Sequence, residues 1–271
     1  IIASPSIRGR IYRWFASLGK DASAEQKAAS VASLLGDTSF AEALTNATNH
    51  FRGQPLSTLT VEMLVNQESD PSLYAQTVPA KLGEVHAFMS HSWSDDGRLK
   101  HEKAHEWARE LGGDGDKLVW LDKACIDQEN IDANLSCLPV FLSGCQMLLM
   151  LVGPTYTTRL WCVMEVFIFM RIKDVGTTAG STQLASEFIT AKLLGDKADL
   201  MLSLVRFDAA KAQCRHDRDR QKLLAVIEAS FGTTAPFNQL VLEVLNKQVL
   251  GLKEASQRKS LVSSLSVSLS A

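Results

Sequence analysis

Apolar residues form three short runs in the middle of the chain, and polar residues follow each run. The runs are Val85 to Met89, Leu118 to Leu121 and Met147 to Val152. Each of them leads through a polar loop into a segment with helical spacing, which is the pattern of repeated strand and helix units. The sequence therefore predicts an α/β protein with a parallel sheet flanked by helices. In such sheets, functional side chains gather where the strands end.

The segments on both sides of this unit are mainly helical in pattern. Ser6 to Lys20 carries apolar and basic residues at helical spacing. It is either a docking or surface helix, or a helix that packs on the domain with a solvated basic face. Asp208 to Phe231 and Phe237 to Leu252 are typical of further helices. We therefore predict three regions, which are a helical N-terminal extension packing on the core at 1–82, an α/β domain at 83–207, and a helical C-terminal extension with a Ser-rich tail at 208–271.

The strand pattern weakens after Met170. Glu187 to Leu194 is a weak candidate for a further strand, and Ala198 to Phe207 fits either a strand or a helix. The sequence therefore predicts three strands clearly and leaves the completion of the sheet open.

The composition is that of an ordinary globular protein, with 271 residues of which 46% are hydrophobic and 21% charged. The net charge of −2 gives no long-range reason to bind nucleic acid. Because no apolar run reaches the roughly 20 residues of a spanning helix, we expect no transmembrane segment. The five cysteines include no C-x-x-C pair, which favours a cytoplasmic or other reducing compartment. Since the chain begins at Ile1, import into an organelle stays open.

Candidate chemistry lies at the ends of the predicted strands. Ser90 and Trp93 follow the first strand in a loop whose hydroxyls and carboxylates suit helix capping, and Asp122 follows the second as a cap or a ligand. After the third strand, Trp161 and Glu165 are four residues apart, so a helix places both on one face. A carboxylate beside an aromatic plane suits a flat cationic ring. It also suits a packed indole with a glutamate favoured by the helix N-terminus.

One metalloprotease motif occurs, as His101-Glu102-Lys103-Ala104-His105. Histidines at this spacing share a helical face and could hold zinc, with Glu102 as the general base. No third-ligand motif accompanies them, and the charged residues around them, Lys100 included, indicate a solvated helix. Chance spacing is the favoured interpretation, and we expect no metal.

The order of these features resembles a divergent TIR (Toll/interleukin-1 receptor) domain, of the kind found in proteins of single-celled eukaryotes and algae. The resemblance covers roughly Gly83 to Lys173 and rests on Phe88-Met-Ser-His-Ser92, Trp120-Leu-Asp122, Met147 to Val152, Tyr156 and Trp161-Cys162-x-x-Glu165. It implies a flavodoxin-like sheet. It also implies that the loop Lys123 to Asn130 serves self-association.

The resemblance implies two kinds of function. The favoured one is a protein-interaction or signalling module, a subunit or scaffold of a larger assembly, that binds partners or copies of itself through the Lys123 to Asn130 loop and the flanking helices. The alternative is an NAD glycohydrolase. In the TIR domains that cleave NAD, a glutamate at the position of Glu165 carries the reaction, and an aromatic residue like Trp161 lies beside the nicotinamide. NAD would then be the substrate, with no required cofactor.

The remaining candidates for binding NAD are Ser90, Trp93 and Asp122, because they lie at the same strand ends. Cleavage would pass through an oxocarbenium-like transition state that a carboxylate stabilises. A zinc metalloprotease acting through His101 and His105 is the remote alternative.

Overall fold

The computed structural model describes residues 40–113, 117–127, 137–173 and 186–250. The helices within these ranges are α1 Phe40–His50, α2 Val61–Val65, α3 Gly97–Glu110, α4 Asp122–Cys125, α5 Leu138–Gly144, α6 Leu160–Lys173, α7 Lys197–Val205, α8 Asp217–Phe231 and α9 Thr234–Leu250. The strands are β1 Arg52–Pro55, β2 Val78–Pro79, β3 Val85–His91, β4 Leu118–Trp120, β5 Cys145–Val152 and β6 Ile189–Leu193. The predicted basic helix at 6–20 and the Ser-rich tail lie outside the described residues.

The six strands form one sheet in the order β2-β1-β4-β3-β5-β6. Strands β4, β3, β5 and β6 are parallel, while β1 runs antiparallel to both of its neighbours. Numbered along the chain, the parallel strands have the spatial order 2-1-3-4, which is the flavodoxin-like order. The predicted α/β class, with a flavodoxin-like parallel sheet flanked by helices, is confirmed.

The structure contains a fourth parallel strand, β6, in the region after Met170 where the strand pattern of the sequence is weak. Strand β6 lies inside the candidate segment Glu187 to Leu194, and the ambiguous segment Ala198 to Phe207 is largely helix α7. Strands β1 and β2 lie within the segment predicted as a helical extension. The sequence does not indicate β1, because Gly53 and Pro55 are poor strand formers. Gly53 is suited to its place, since a Cβ there would lie 3.1 Å from Leu118 Cβ on β4.

The alternation of side chains along β3 separates two layers of core. Ala87 and Met89 belong to the cluster that packs under α2 and α3, whereas Phe88 belongs to the larger cluster on the opposite face, which contains α5, α6, α8 and α9. Phe88 stacks on Trp120 of β4 with ring centroids 4.5 Å apart. Because side chains alternate with period two, Ser90 shares the face of Phe88 and points toward α6.

Helix α6 is a core helix whose residues are nearly all apolar. It packs between the sheet and the C-terminal helices, and Phe167 meets Phe231 of α8 and Phe237 of α9 edge to face, with centroids 5.4 Å apart in both pairs. Glu165 is its one acidic residue. Among the described helices, α6 included, none combines the length and apolarity needed to cross a bilayer.

Candidate active site

The predicted site residues lie at one edge of the sheet, where β3, β4 and β5 end. Ser90 is the next-to-last residue of β3 and Trp93 follows that strand. Asp122 comes after β4, and Trp161 and Glu165 lie in the first two turns of α6. Parallel strands end at a common edge, which is why residues so distant in sequence come together here.

A chain of hydrogen bonds joins β3 to α6. The Ser90 hydroxyl donates to Glu165 Oε2 at 2.5 Å, and the Ser90 oxygen lies 2.7 Å from the Tyr156 hydroxyl. Ser90 and Tyr156 are buried, with 1% and 0% of their surface exposed. Tyr156 was part of the resemblance but was not predicted as a site residue, because its partner lies 66 residues away.

The carboxyl of Glu165 has a strongly raised pKa. Burial raises the pKa of its carboxyl from the ordinary 4.5 to about 8, and the nearby Asp122 carboxylate adds to the rise while the Ser90 hydrogen bond opposes it. The residue nevertheless keeps part of its surface exposed. A carboxyl that is enclosed by protein, reachable by a ligand and able to exchange a proton near neutral pH is typical of catalytic sites.

Asp122 organises a second group of side chains. Its Oδ2 accepts a hydrogen bond from the Trp93 indole at 2.7 Å, and its Oδ1 accepts one from the Lys123 backbone at 2.7 Å. His91 Nε2 lies 3.9 Å from Oδ1. The Lys123 ammonium lies 5.5 Å from the centre of the Trp93 ring, within the range of a cation–π contact. Asp122 therefore holds the indole of Trp93 in place, and the binding of NAD by this pair stays a prediction.

The predicted self-association loop begins as a buried segment. Lys123 to Cys125 forms most of helix α4, and Lys123 is 3% exposed with its ammonium hydrogen-bonded to the Asn66 carbonyl. Burial lowers the pKa of Lys123. Residues 128–130 of the predicted loop lie outside the described residues, so self-association through it stays a prediction.

A third group, which was not predicted, ties the loop after β3 to the loop after β5. Asp95 Oδ1 accepts hydrogen bonds from the Thr155 backbone at 2.9 Å and from its hydroxyl at 2.8 Å, and that hydroxyl lies 2.7 Å from Ser92 Oγ. A Cβ at Gly153 would lie 2.4 Å from Asp95 Cγ, so a larger residue there would force the Asp95 carboxyl to shift. The polar loop also caps helices as expected, since Asp96 accepts from the first N–H groups of α3.

Trp161 and Arg159 have partly exposed side chains at the start of α6, where a ligand could contact them. Trp161 is half-buried, packs against the larger core cluster, and makes no indole hydrogen bond within the described ranges. Arg159 is also half-buried, and its guanidinium has no hydrogen bond or ion pair to the residues described here. Its positive charge reaches this edge, because it opposes the rise in the pKa of the Cys162 thiol. Arg159 was not predicted, since one arginine in a loop carries no sequence signal.

The histidine pair of α3 has no third metal ligand within the described residues. The rings of His101 and His105 are 4.3 Å apart, but His101 Nε2 is 3.0 Å from the Leu59 carbonyl. Within the described ranges, no group of three or more His, Cys, Asp or Glu could hold a metal ion. The expectation that Lys100 lies on a solvated face was wrong, because it is 0% exposed and its ammonium donates to the Ser92 carbonyl at 3.0 Å.

No protein-family model, curated protein or solved structure matches this chain. What the site can do is therefore inferred from its side chains. The site combines an acid with a raised pKa, an aromatic side chain on the same helix and an arginine just before that helix, and an acid of this kind can take part in proton transfer.

Proposed function

We propose that this chain hydrolyses NAD⁺ at the bond between nicotinamide and ribose, with Glu165 as the catalytic residue. The observation that carries the proposal is the Glu165 carboxyl, which is held by Ser90 at the carboxyl edge of a parallel sheet and has a pKa raised to about 8. The resemblance of the surrounding sequence to TIR domains supports the same reaction.

The proposed reaction breaks the bond between ribose C1′ and the nicotinamide nitrogen, and the electron pair of that bond leaves with nicotinamide. The oxygen of a water molecule bonds to C1′, and a proton of that water is released. NAD⁺ and water thus give ADP-ribose, nicotinamide and H⁺. Positive charge builds on the ribosyl ring in the transition state. The Glu165 carboxylate stabilises this charge and accepts the proton of the attacking water.

The neighbouring side chains suit the other parts of NAD⁺. Trp161 lies one turn before Glu165 on α6 and offers an aromatic face to the nicotinamide ring, whose positive charge favours such a contact. Arg159 offers a guanidinium to the diphosphate, which it would bind with two parallel hydrogen bonds. Trp93 and Asp122 are the candidates for the ribose.

The test is nicotinamide release from NAD⁺ by the purified, concentrated chain and by Glu165→Gln. Glu165→Gln keeps the shape of the side chain and removes its charge, so we expect turnover to fall by at least about 100-fold. Glu187→Gln is the matched control, because Glu187 is an exposed glutamate in the turn before β6. Equal turnover in all three proteins, or none in the unaltered chain, would contradict the proposal.

A protein-interaction module is the second candidate, and the edge of the sheet favours it. Strand β6 is the last strand and pairs with β5 only, in the part of the chain described here. Phe188, directly before it, is 45% exposed. An edge strand with an apolar neighbour is suited to pairing with a second copy of the chain. Light scattering would then show a concentration-dependent dimer that Phe188→Ser weakens and the control Val65→Ser, also on an exposed site, does not.

A further inference from the structure

The proton of the Tyr156 hydroxyl has one available direction. Burial raises the pKa of Tyr156 well above its ordinary value, so the hydroxyl keeps its proton. Ser90 Oγ, 2.7 Å away, is its hydrogen-bond partner within the described residues. Because a fully buried hydroxyl proton without an acceptor costs free energy, the Tyr156 hydroxyl donates to Ser90.

The direction of that first hydrogen bond determines the next. Ser90 has a single hydroxyl proton, and its oxygen already accepts from Tyr156. Its proton therefore points to Glu165 Oε2, at 2.5 Å. Oε2 is then an acceptor whether Glu165 is ionised or neutral. Because the carbonyl oxygen of a carboxylic acid accepts a hydrogen bond better than its O–H oxygen does, a proton bound by the carboxyl is favoured on Oε1. Oε1 makes no hydrogen bond to the described residues. It is absent from the set of fully buried atoms without a partner, so it is the oxygen that a substrate or solvent can reach.

We propose that Tyr156 and Ser90 are positioning residues, which hold the Glu165 carboxyl so that Oε1 alone exchanges a proton with a substrate or with solvent. The assignment of the proton follows from the hydrogen bonds. Its catalytic consequence rests on the proposed NAD⁺ hydrolysis. Since Ser90 is 1% exposed, it acts through Glu165 rather than by touching the substrate.

The other titratable groups around Glu165 do not replace this chain of donors. The Asp122 carboxylate raises the pKa of Glu165. Burial raises the pKa of the Cys162 thiol and lowers that of His91, so both are neutral near pH 7. Arg159 and Asp95 act on this edge at longer range through their charges. All of these residues are retained in the variants of Ser90 and Tyr156, so the variants test the hydrogen bonds alone.

The test is the pKa of Glu165, measured by carbon-13 NMR of the labelled carboxyl, with Glu165→Gln to assign the signal. Ser90→Ala removes a hydrogen bond to the charged form, so we expect the pKa to rise by roughly 1. Tyr156→Phe removes the donor to Ser90 and should raise it less. Tyr74→Phe is the matched control, because its ring lies under Arg52 and not at the site, and it should change nothing.

Activity provides the second readout, on the same proteins. In Ser90→Ala we expect kcat to fall about 10-fold with KM nearly unchanged, because the carboxyl loses its fixed orientation. A shifted pKa without any NAD⁺ cleavage would support the positioning role and count against the proposed reaction. NAD⁺ cleavage with an unshifted pKa in both variants, each folded by circular dichroism, would overturn the positioning role. Tyr156→Phe alone decides the matter if Ser90→Ala does not fold.

Discussion

The Ser90 hydroxyl donates a hydrogen bond to Glu165 Oε2 across 75 residues of sequence, and so connects the end of strand β3 with helix α6. This contact determines the properties of the site. It is the one hydrogen bond that the Glu165 carboxyl makes to the described residues, and it opposes the effect of burial on the pKa of that carboxyl.

The pH dependence of turnover should report Glu165. Since the carboxylate is the active form and burial raises its pKa to about 8, we expect kcat/KM for NAD⁺ to rise with pH up to that value. The cationic nicotinamide ring favours the ionised carboxylate, so the corresponding rise in kcat should occur at lower pH. Initial rates between about pH 6 and 9 check both statements. A kcat/KM that is flat over this range would contradict the role of Glu165.

Protein stability should depend on pH through the same group. The pKa of Glu165 is raised on folding from 4.5 to about 8, so its favourable contribution is complete below pH 4.5 and is lost as the pH rises through 8. Glu165→Gln is neutral at every pH and should therefore gain stability relative to the unaltered chain as the pH rises. The gain should reach roughly 2–4 kcal/mol by urea unfolding. A difference that does not change with pH would exclude the raised pKa.

Gly153→Ala should disturb the loop that precedes α6. The added Cβ would meet the Asp95 carboxyl, which holds Thr155, so we expect a loss of about 1–3 kcal/mol of stability. The clash depends on Asp95, and a double-mutant cycle with Asp95→Ala isolates it. Gly153→Ala should cost less in the Asp95→Ala background. An equal cost in both backgrounds would place the strain elsewhere.

Lys100 should contribute more to stability than a surface lysine of the same helix. It is fully buried and its ammonium donates to the carbonyls of Ser92 and Trp93, so Lys100→Met removes two hydrogen bonds that hold the loop after β3, at a cost of about 2 kcal/mol. Lys103→Met is the matched control, because Lys103 pairs with Glu106 at the surface and should cost less than about 1 kcal/mol. Urea unfolding compares the two. Equal costs would mean that Lys100 is not needed to hold the loop after β3.

Local patterns identified the centre of the fold, because β3, β4 and β5 are apolar strands that end in polar residues. The same patterns could not reveal β1, whose Gly53 and Pro55 lack a strand signal, or the short β2. Strand ends also indicated Ser90 and Glu165 separately. Their hydrogen bond, and the burial that raises the pKa of Glu165, depend on packing between distant segments and therefore required the structure.

The most direct test of the central claim is the time course of nicotinamide formation from NAD⁺, followed by proton NMR, for the concentrated chain beside Glu165→Gln at the same concentration. We expect nicotinamide and ADP-ribose to accumulate in equal amounts with the unaltered chain and to stay near background with Glu165→Gln. An unaltered, folded chain that leaves NAD⁺ intact, or a Glu165→Gln variant that cleaves it as fast, would contradict the assignment of this edge of the sheet as a hydrolase site.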